Sequence, residues 1–283
     1  LQYQLEHRPI EMLHPLAPVQ IHYATPNGAL ESHPTALLDG RAALPTLEFA
    51  ATGFTLQRNI ISNPDWTDPN WINDTHRCHI RKLAMQFSHC DETIVYPGIV
   101  RGPKSLVDHD DHLPIQVAHS DFTDDYRPMV LNPSRAYAKF LSPLLAEAGS
   151  SYTRINAAKR ILVLQFWRNT GAINADLPLA IADASSVPYS ALHRETVAQY
   201  GGDTLEFETF LVKPPATPNA YRWHHFAKMQ HDEVLIFRTY DSQLEETGQP
   251  YWTPHCAFVN PDPEASGQAR QSLEMRALCL FDR

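Results

Sequence analysis

The chain has 283 residues, 43% of them hydrophobic, with a formal net charge of -9 at pH 7. That length buries a full core as one or two domains, and the negative charge weighs against a nucleic-acid or anionic-membrane partner. No apolar run approaches the roughly 18 residues of a transmembrane helix, and the four cysteines, Cys78, Cys90, Cys256 and Cys279, form no CxxC pair and read as reduced thiols of a cytoplasmic protein.

In chain order, residues 1–6 lack the apolar core of a signal segment, and residues 1–50 are Pro-rich and weakly periodic, reading as an irregular arm. Residues 53–60 alternate as a short strand. Asp68 is an N-cap candidate with Pro69 at the first helical position, and a helix to about residue 87 places Ile72, His79, Leu83 and Phe87 on one face. A strand over 93–100, interrupted at Pro97-Gly98, precedes one over 113–123. Residues 134–141 and 142–148 read as two short helices, the second capped by Ser142 with Pro143 at its first position. Strands are expected over 161–168 and 177–183, then a helix over 189–200 stopped by Gly201-Gly202. Further strands fall over 204–212, 220–226, 233–240, 251–259 and 269–281. Eight strand candidates from residue 113 onward, with few helices between them, predict a mainly β fold with flanking helices: a double-stranded β-helix, or jelly roll. The chain reads as a single domain, with a core over 108–283 and an N-terminal arm and helical/strand extension, 1–107, packed on its outside.

The chemistry concentrates in Val117-Ala118-His119-Ser120-Asp121-Phe122-Thr123. In a strand, alternate side chains share a face, so His119 and Asp121 look one way and Ser120 the other. One imidazole and one monodentate carboxylate make two-thirds of the facial triad that holds non-haem Fe(II). The candidate third ligand is His255, in the penultimate expected strand. Arg270 follows at the start of the last strand, where a turn through Pro261-Asp262-Pro263 returns the chain to the metal. The distal carboxylate of a 2-oxo diacid needs a fixed, bidentate guanidinium of this kind. Ser272 and Arg276 share the Arg270 face.

His119-x-Asp121, His255 and Arg270-x-Ser272 together resemble the signature of Fe(II)/2-oxoglutarate-dependent dioxygenases. The wider pattern, in Gln165-Phe166-Trp167-Arg168, Leu177 to Ser186, Asp232 to Phe237, Tyr240-Asp241-Ser242 and Arg270 to Arg276, is similar to a mainly fungal hydroxylase/desaturase family. That family includes a gibberellin desaturase and relatives of a cephalosporin 7α-methoxylation protein. The departures are local: Gln165 stands where Asn is expected, Asn169 where Pro is expected, and residues 88–104 match poorly. The resemblance implies Fe(II) as cofactor, 2-oxoglutarate and O₂ as co-substrates, a small-molecule, secondary-metabolite substrate oxidised (hydroxylated or desaturated) at a C–H, and succinate and CO₂ as products.

Other readings stand beside this one. A second HxD, His109-Asp110-Asp111, sits in a polar run that reads as an exposed loop. His76, Cys78, His79, His89 and Cys90 match no standard zinc spacing. Arg276 is open to substrate or to a salt bridge, and Trp167 and Arg168 to the pocket or to packing. A cupin-like metal-binding protein or isomerase is the rival class, one with no need for Arg270 and Ser272.

Overall fold

The computed structural model describes residues 18–283, so the first part of the expected arm lies outside the described residues. Fifteen strands follow in chain order: β1 (Val19–Ala24), β2 (Leu30–Thr35), β3 (Leu38–Asp39), β4 (Phe54–Arg58), β5 (Glu92–Val95), β6 (Ile99–Arg101), β7 (His119–Ser120), β8 (Arg160–Asn169), β9 (Leu179–Ala182), β10 (Leu192–Val197), β11 (Phe207–Val212), β12 (Trp223–His225), β13 (Glu233–Asp241), β14 (His255–Ala257) and β15 (Ser272–Phe281). A seven-stranded sheet has the order β10-β11-β7-β14-β9-β12-β3, and a six-stranded sheet the order β4-β13-β8-β15-β5, with β6 also on β15. The sheets face each other across the interior, where the Phe237 ring of β13 lies 4.7 Å from that of His255 on β14.

The long central strands obey the period of two. On β15, Leu273, Met275, Ala277 and Cys279 join Leu162, Leu164 and Phe166 of β8 and Ile80, Leu83 and Ala84 of the helix Arg77–Ser88 in one apolar cluster. The intervening residues Ser272, Glu274 and Arg276 therefore face the interior, and β8 turns Gln165 and Trp167 the same way. β8 and β15 pair antiparallel from Ser272 opposite Asn169 to Phe281 opposite Arg160.

Several expectations are corrected. The arm holds a hairpin, β1 with β2, turned at Pro26-Asn27-Gly28 with Gly28 at φ 83°. Strands from residues 38–101 enter both sheets and are not only an outer layer. The helix near Asp68 begins as a π-helix, Trp71–His76. This wider turn shifts the buried face to Ile72, His76, Ile80 and Leu83 and leaves His79 exposed. Residues 136–148 form one helix through Pro143, because Tyr137, Ala138, Leu141, Leu144 and Leu145 bury a continuous face that outweighs the one bond proline cannot make. The helix expected over 189–200 is instead β10, paired residue for residue with β11. Only His119 and Ser120 of the 113–123 stretch make ladder pairs.

Candidate metal and co-substrate site

β7 and β14 are neighbours, with His119 directly opposite His255. Both rings project inward, their centroids 4.4 Å apart. The Asp121 Oδ1 atom lies 3.8 Å from the Nε2 atoms of both histidines. Ser120 faces away, accepting the Thr253 backbone N–H at 3.1 Å. Among the described residues, His119, Asp121 and His255 are the one group of three His, Cys, Asp or Glu whose ligand atoms converge, all within 4.8 Å of one another.

The imidazoles are set for ligation by their outer nitrogens. His119 Nδ1 lies 2.8 Å from the Val117 carbonyl, and His255 Nδ1 3.1 Å from the Thr253 carbonyl. A carbonyl oxygen only accepts, so both Nδ1 atoms carry the proton and both Nε2 lone pairs point at the shared centre. Burial, then the neighbouring His255, pushes His119 down to about 4. Burial works to raise the Asp121 carboxyl, but Arg276 and the two histidines override it and hold it well below the usual range. This donor set, two neutral imidazoles and a carboxylate, fits a first-row divalent metal such as Fe(II).

Two buried arginines, Arg101 and Arg270, and the partly buried Arg276 surround the triad. Arg276 Nη2 pairs with Asp121 Oδ2 at 3.2 Å, on the oxygen turned away from the histidines. Arg101 pairs with Glu274, which also accepts from Gln165 Nε2. Arg270 is different. It is 3% exposed, its Nη1 donates to the Leu177 carbonyl at 3.2 Å, and its guanidinium carbon lies 5.7 Å from the Trp167 ring centroid. Among the described residues no carboxylate pairs with it, and its Nε and the Ser272 Oγ both lack partners. Burial, with Arg101 nearby, pushes Arg270 down to about 10. Arg270, Trp167 and Leu179 line both the cleft at the triad and a cavity of about 380 Å³ that opens outward. An unpaired cation and an unpaired hydroxyl at that junction suit an anionic ligand.

Trp167 thus lies at the site, but Arg168 does not. It is on the outer face of β8 with Leu164 and Phe166, bonding to Asn59 and stacked over Trp66 at 5.8 Å. Adjacent residues of a regular strand cannot both face one pocket. Arg168→Met is expected to lower the thermal unfolding temperature, at a cost of about 1–3 kcal/mol for the polar groups it strands, and to leave metal titration unchanged. Loss of metal binding in a folded variant would contradict this placement.

The second HxD is closed on itself. His109 Nδ1 accepts the Asp111 backbone N–H, and Asp111 Oδ2 accepts that of Gly201 at 2.8 Å. His76 is buried and stacked on Trp71 at 5.7 Å, in no metal cluster with Cys78 or Cys90. Two participants escaped the sequence reading, Arg101 and Glu274. Glu274 lies between Ser272 and Arg276 on their face, and an inward carboxylate there demands a cation, a usable signal.

A family model described as Oxidoreductase/YMDC permease-like domain matches residues 4–280. Among curated proteins, the chain is 29% identical over 127 residues to the Hydroxylase/desaturase CTB9 of Cercospora beticola, covering 44% of this chain and 38% of that one. It is 31% identical over 128 residues to the Hydroxylase/desaturase efuI of Hormonema carpetanum, covering 42% and 41%. It is 25% identical over 127 residues to the Fe(II)/2-oxoglutarate-dependent dioxygenase nvfI of Aspergillus novofumigatus, covering 44% and 42%. The chain spans about two fifths of the length of the first two of these relatives. Among solved structures, two of the iron and alpha-ketoglutarate-dependent endoperoxidase NvfI superpose. One, in a different conformation, gives a TM-score of 0.75 at 18% identity over 95% of this chain and 100% of that one. The other gives 0.70 at 20% identity over 94% and 96%. The jelly roll and the resemblance to the fungal hydroxylase/desaturase group both hold.

Proposed function

The chain belongs to that oxidoreductase family, and from this premise we propose that it is an Fe(II)- and 2-oxoglutarate-dependent oxygenase that oxidises an unactivated C–H of a small molecule. The observation that carries the reading is the pairing of a converged triad with a buried arginine that has no anion of its own among the described residues. His119, Asp121 and His255 would hold the metal. When bound, the metal and co-substrate supply the oxidation: one C–H is oxidised as 2-oxoglutarate and O₂ become succinate and CO₂. The protein's own residues do the rest. Arg270 and Ser272 bind the far carboxylate, Arg276 fixes the carboxylate ligand, and Trp167 and Leu179 keep the cleft dry.

A small-molecule substrate suits the enclosed cavities, and four unpaired cysteines suit the cytoplasm. No helix among the described residues is long and apolar enough to cross a membrane. With Fe(II), O₂ and a reductant, the purified protein is expected to release succinate in step with 2-oxoglutarate loss. Metal binding with neither 2-oxoglutarate binding nor succinate release would favour the cupin-like reading.

A further inference from the structure

A second cavity, of about 180 Å³, shares no lining residue with Arg270's cavity and reaches the triad's surroundings through Arg276 and Phe122. Its walls are aromatic: Phe122, Tyr137, Phe140, Tyr200 and Phe207, with Tyr96. Arg276 is the one basic guanidinium on its lining. That side chain is 12% exposed, sits 5.4 Å from the Phe122 ring centroid, and uses Nη2 on Asp121 while its Nε has no partner. Tyr200, on the same wall, accepts from Arg101 Nη2 at 3.1 Å. Two guanidiniums therefore stand between this cavity and the metal position, and one of them, Arg276, lines it.

The charges around the metal do not balance. Arg101, Arg270 and Arg276 face only Asp121 and Glu274 among the buried carboxylates. Asp176, half-buried, accepts the backbone N–H of Arg270. A divalent metal and a dianionic co-substrate would cancel each other, so the three cations still outnumber the two buried carboxylates after both bind, and the half-buried Asp176 acts on Arg270 alone among the three. A cation poorly compensated in a dry site is costly, and Arg276, the one of the three that lines this cavity, marks where a further anion is best placed. The volume falls well below the roughly 300–1,000 Å³ of cavities that enclose a whole drug-sized molecule. It suits one ring system of a larger molecule. Flat aromatic walls favour a flat, unsaturated ring by offset and edge contacts.

Resting on the oxygenase reading above, we propose that this cavity seats the organic substrate by a planar, unsaturated ring bearing a carboxylate, enolate or phenolate oxygen on Arg276. The short helical turns Asp110–His112 and Tyr200–Gly202 form its rim, joined by the Asp111–Gly201 hydrogen bond. Arg276 then touches both the substrate and the carboxylate ligand.

The test uses 2-naphthoate as probe and Mn(II) at the triad, with the full chain. Mn(II) and 2-oxoglutarate binding are first titrated on their own, so a failed oxygenase reading shows there. Proton relaxation of 2-naphthoate is then followed in protein loaded with both. Saturable binding is expected, with Mn(II)-dependent broadening, and at least tenfold weaker binding of decahydro-2-naphthoate and of 2-naphthylmethylammonium. Leu205→Trp, which fills the cavity from its edge, is expected to weaken the probe at least tenfold while Mn(II) and 2-oxoglutarate bind as before. Three results overturn the proposal: no saturable binding, displacement of the probe by 2-oxoglutarate, or binding indifferent to Leu205→Trp. The substitution remains decisive in protein without metal.

Discussion

Asp121→Ala is expected to abolish metal binding, and Asp111→Ala to leave it unchanged. Loss of an outer-shell partner typically costs roughly ten- to a hundredfold in metal affinity, and removing one of three ligands costs more. The two aspartates share the HxD pattern but not the surroundings. Asp121 faces two imidazole Nε2 atoms at 3.8 Å, whereas Asp111 bonds the Gly201 backbone. Asp121→Ala also strands Arg276, a penalty of about 3–5 kcal/mol for a buried charge losing its partner. Circular dichroism must therefore confirm folding before an anaerobic Fe(II) titration is read. The reverse outcome, with Asp111 indispensable for iron, would move the site to the 109–112 turn.

Arg270→Ala is expected to weaken 2-oxoglutarate by a hundredfold or more while Fe(II) binds normally. Removing one half of a buried charged pair costs about 3–5 kcal/mol, and each 1.4 kcal/mol is about a decade. The charge-transfer absorbance of the anaerobic Fe(II) protein titrated with 2-oxoglutarate reads this directly. Arg270→Lys recovers only part, because an ammonium cannot reproduce the fork. Stability supplies a second readout with the opposite sign. In the free protein Arg270 is a buried cation with no carboxylate partner among the described residues, so its removal relieves a desolvation cost. Arg270→Ala should melt no lower than the parent without co-substrate, and lose the stabilisation that 2-oxoglutarate gives the parent. A variant that binds 2-oxoglutarate like the parent, beside an Arg276→Ala that does not, would transfer the anchor to Arg276.

The legible part of the site was the part governed by strand alternation. His119 with Asp121, and Arg270 with Ser272 and Arg276, share a face because their spacing is even, and the structure brings the three candidate ligands within 4.8 Å of one another. The same rule separated Trp167 from Arg168, which an alternation-minded reading could have anticipated. What Arg276 touches was not legible, since its partner lies 155 positions earlier in sequence on the opposite sheet. The 189–200 segment misled because Tyr189 to Tyr200 has no period of its own. Pairing with Phe207–Val212 makes β10 a strand, which is a tertiary effect. The two-helix expectation at Pro143 failed for the same reason, a buried face outweighing a local breaker.

The two halves of the site hang on ladders of very different length. Ser272, Glu274 and Arg276 ride on a ten-residue strand paired on both edges, while His119 and His255 sit on strands of two and three residues. Segments with few ladder bonds open first, long before the molecule as a whole. Ageing of the protein on the bench is therefore expected to begin as fraying around His119 and His255, with the β15 wall still standing. If the proposed iron site is right, activity lost that way is expected to return on adding Fe(II), until the central strands themselves open.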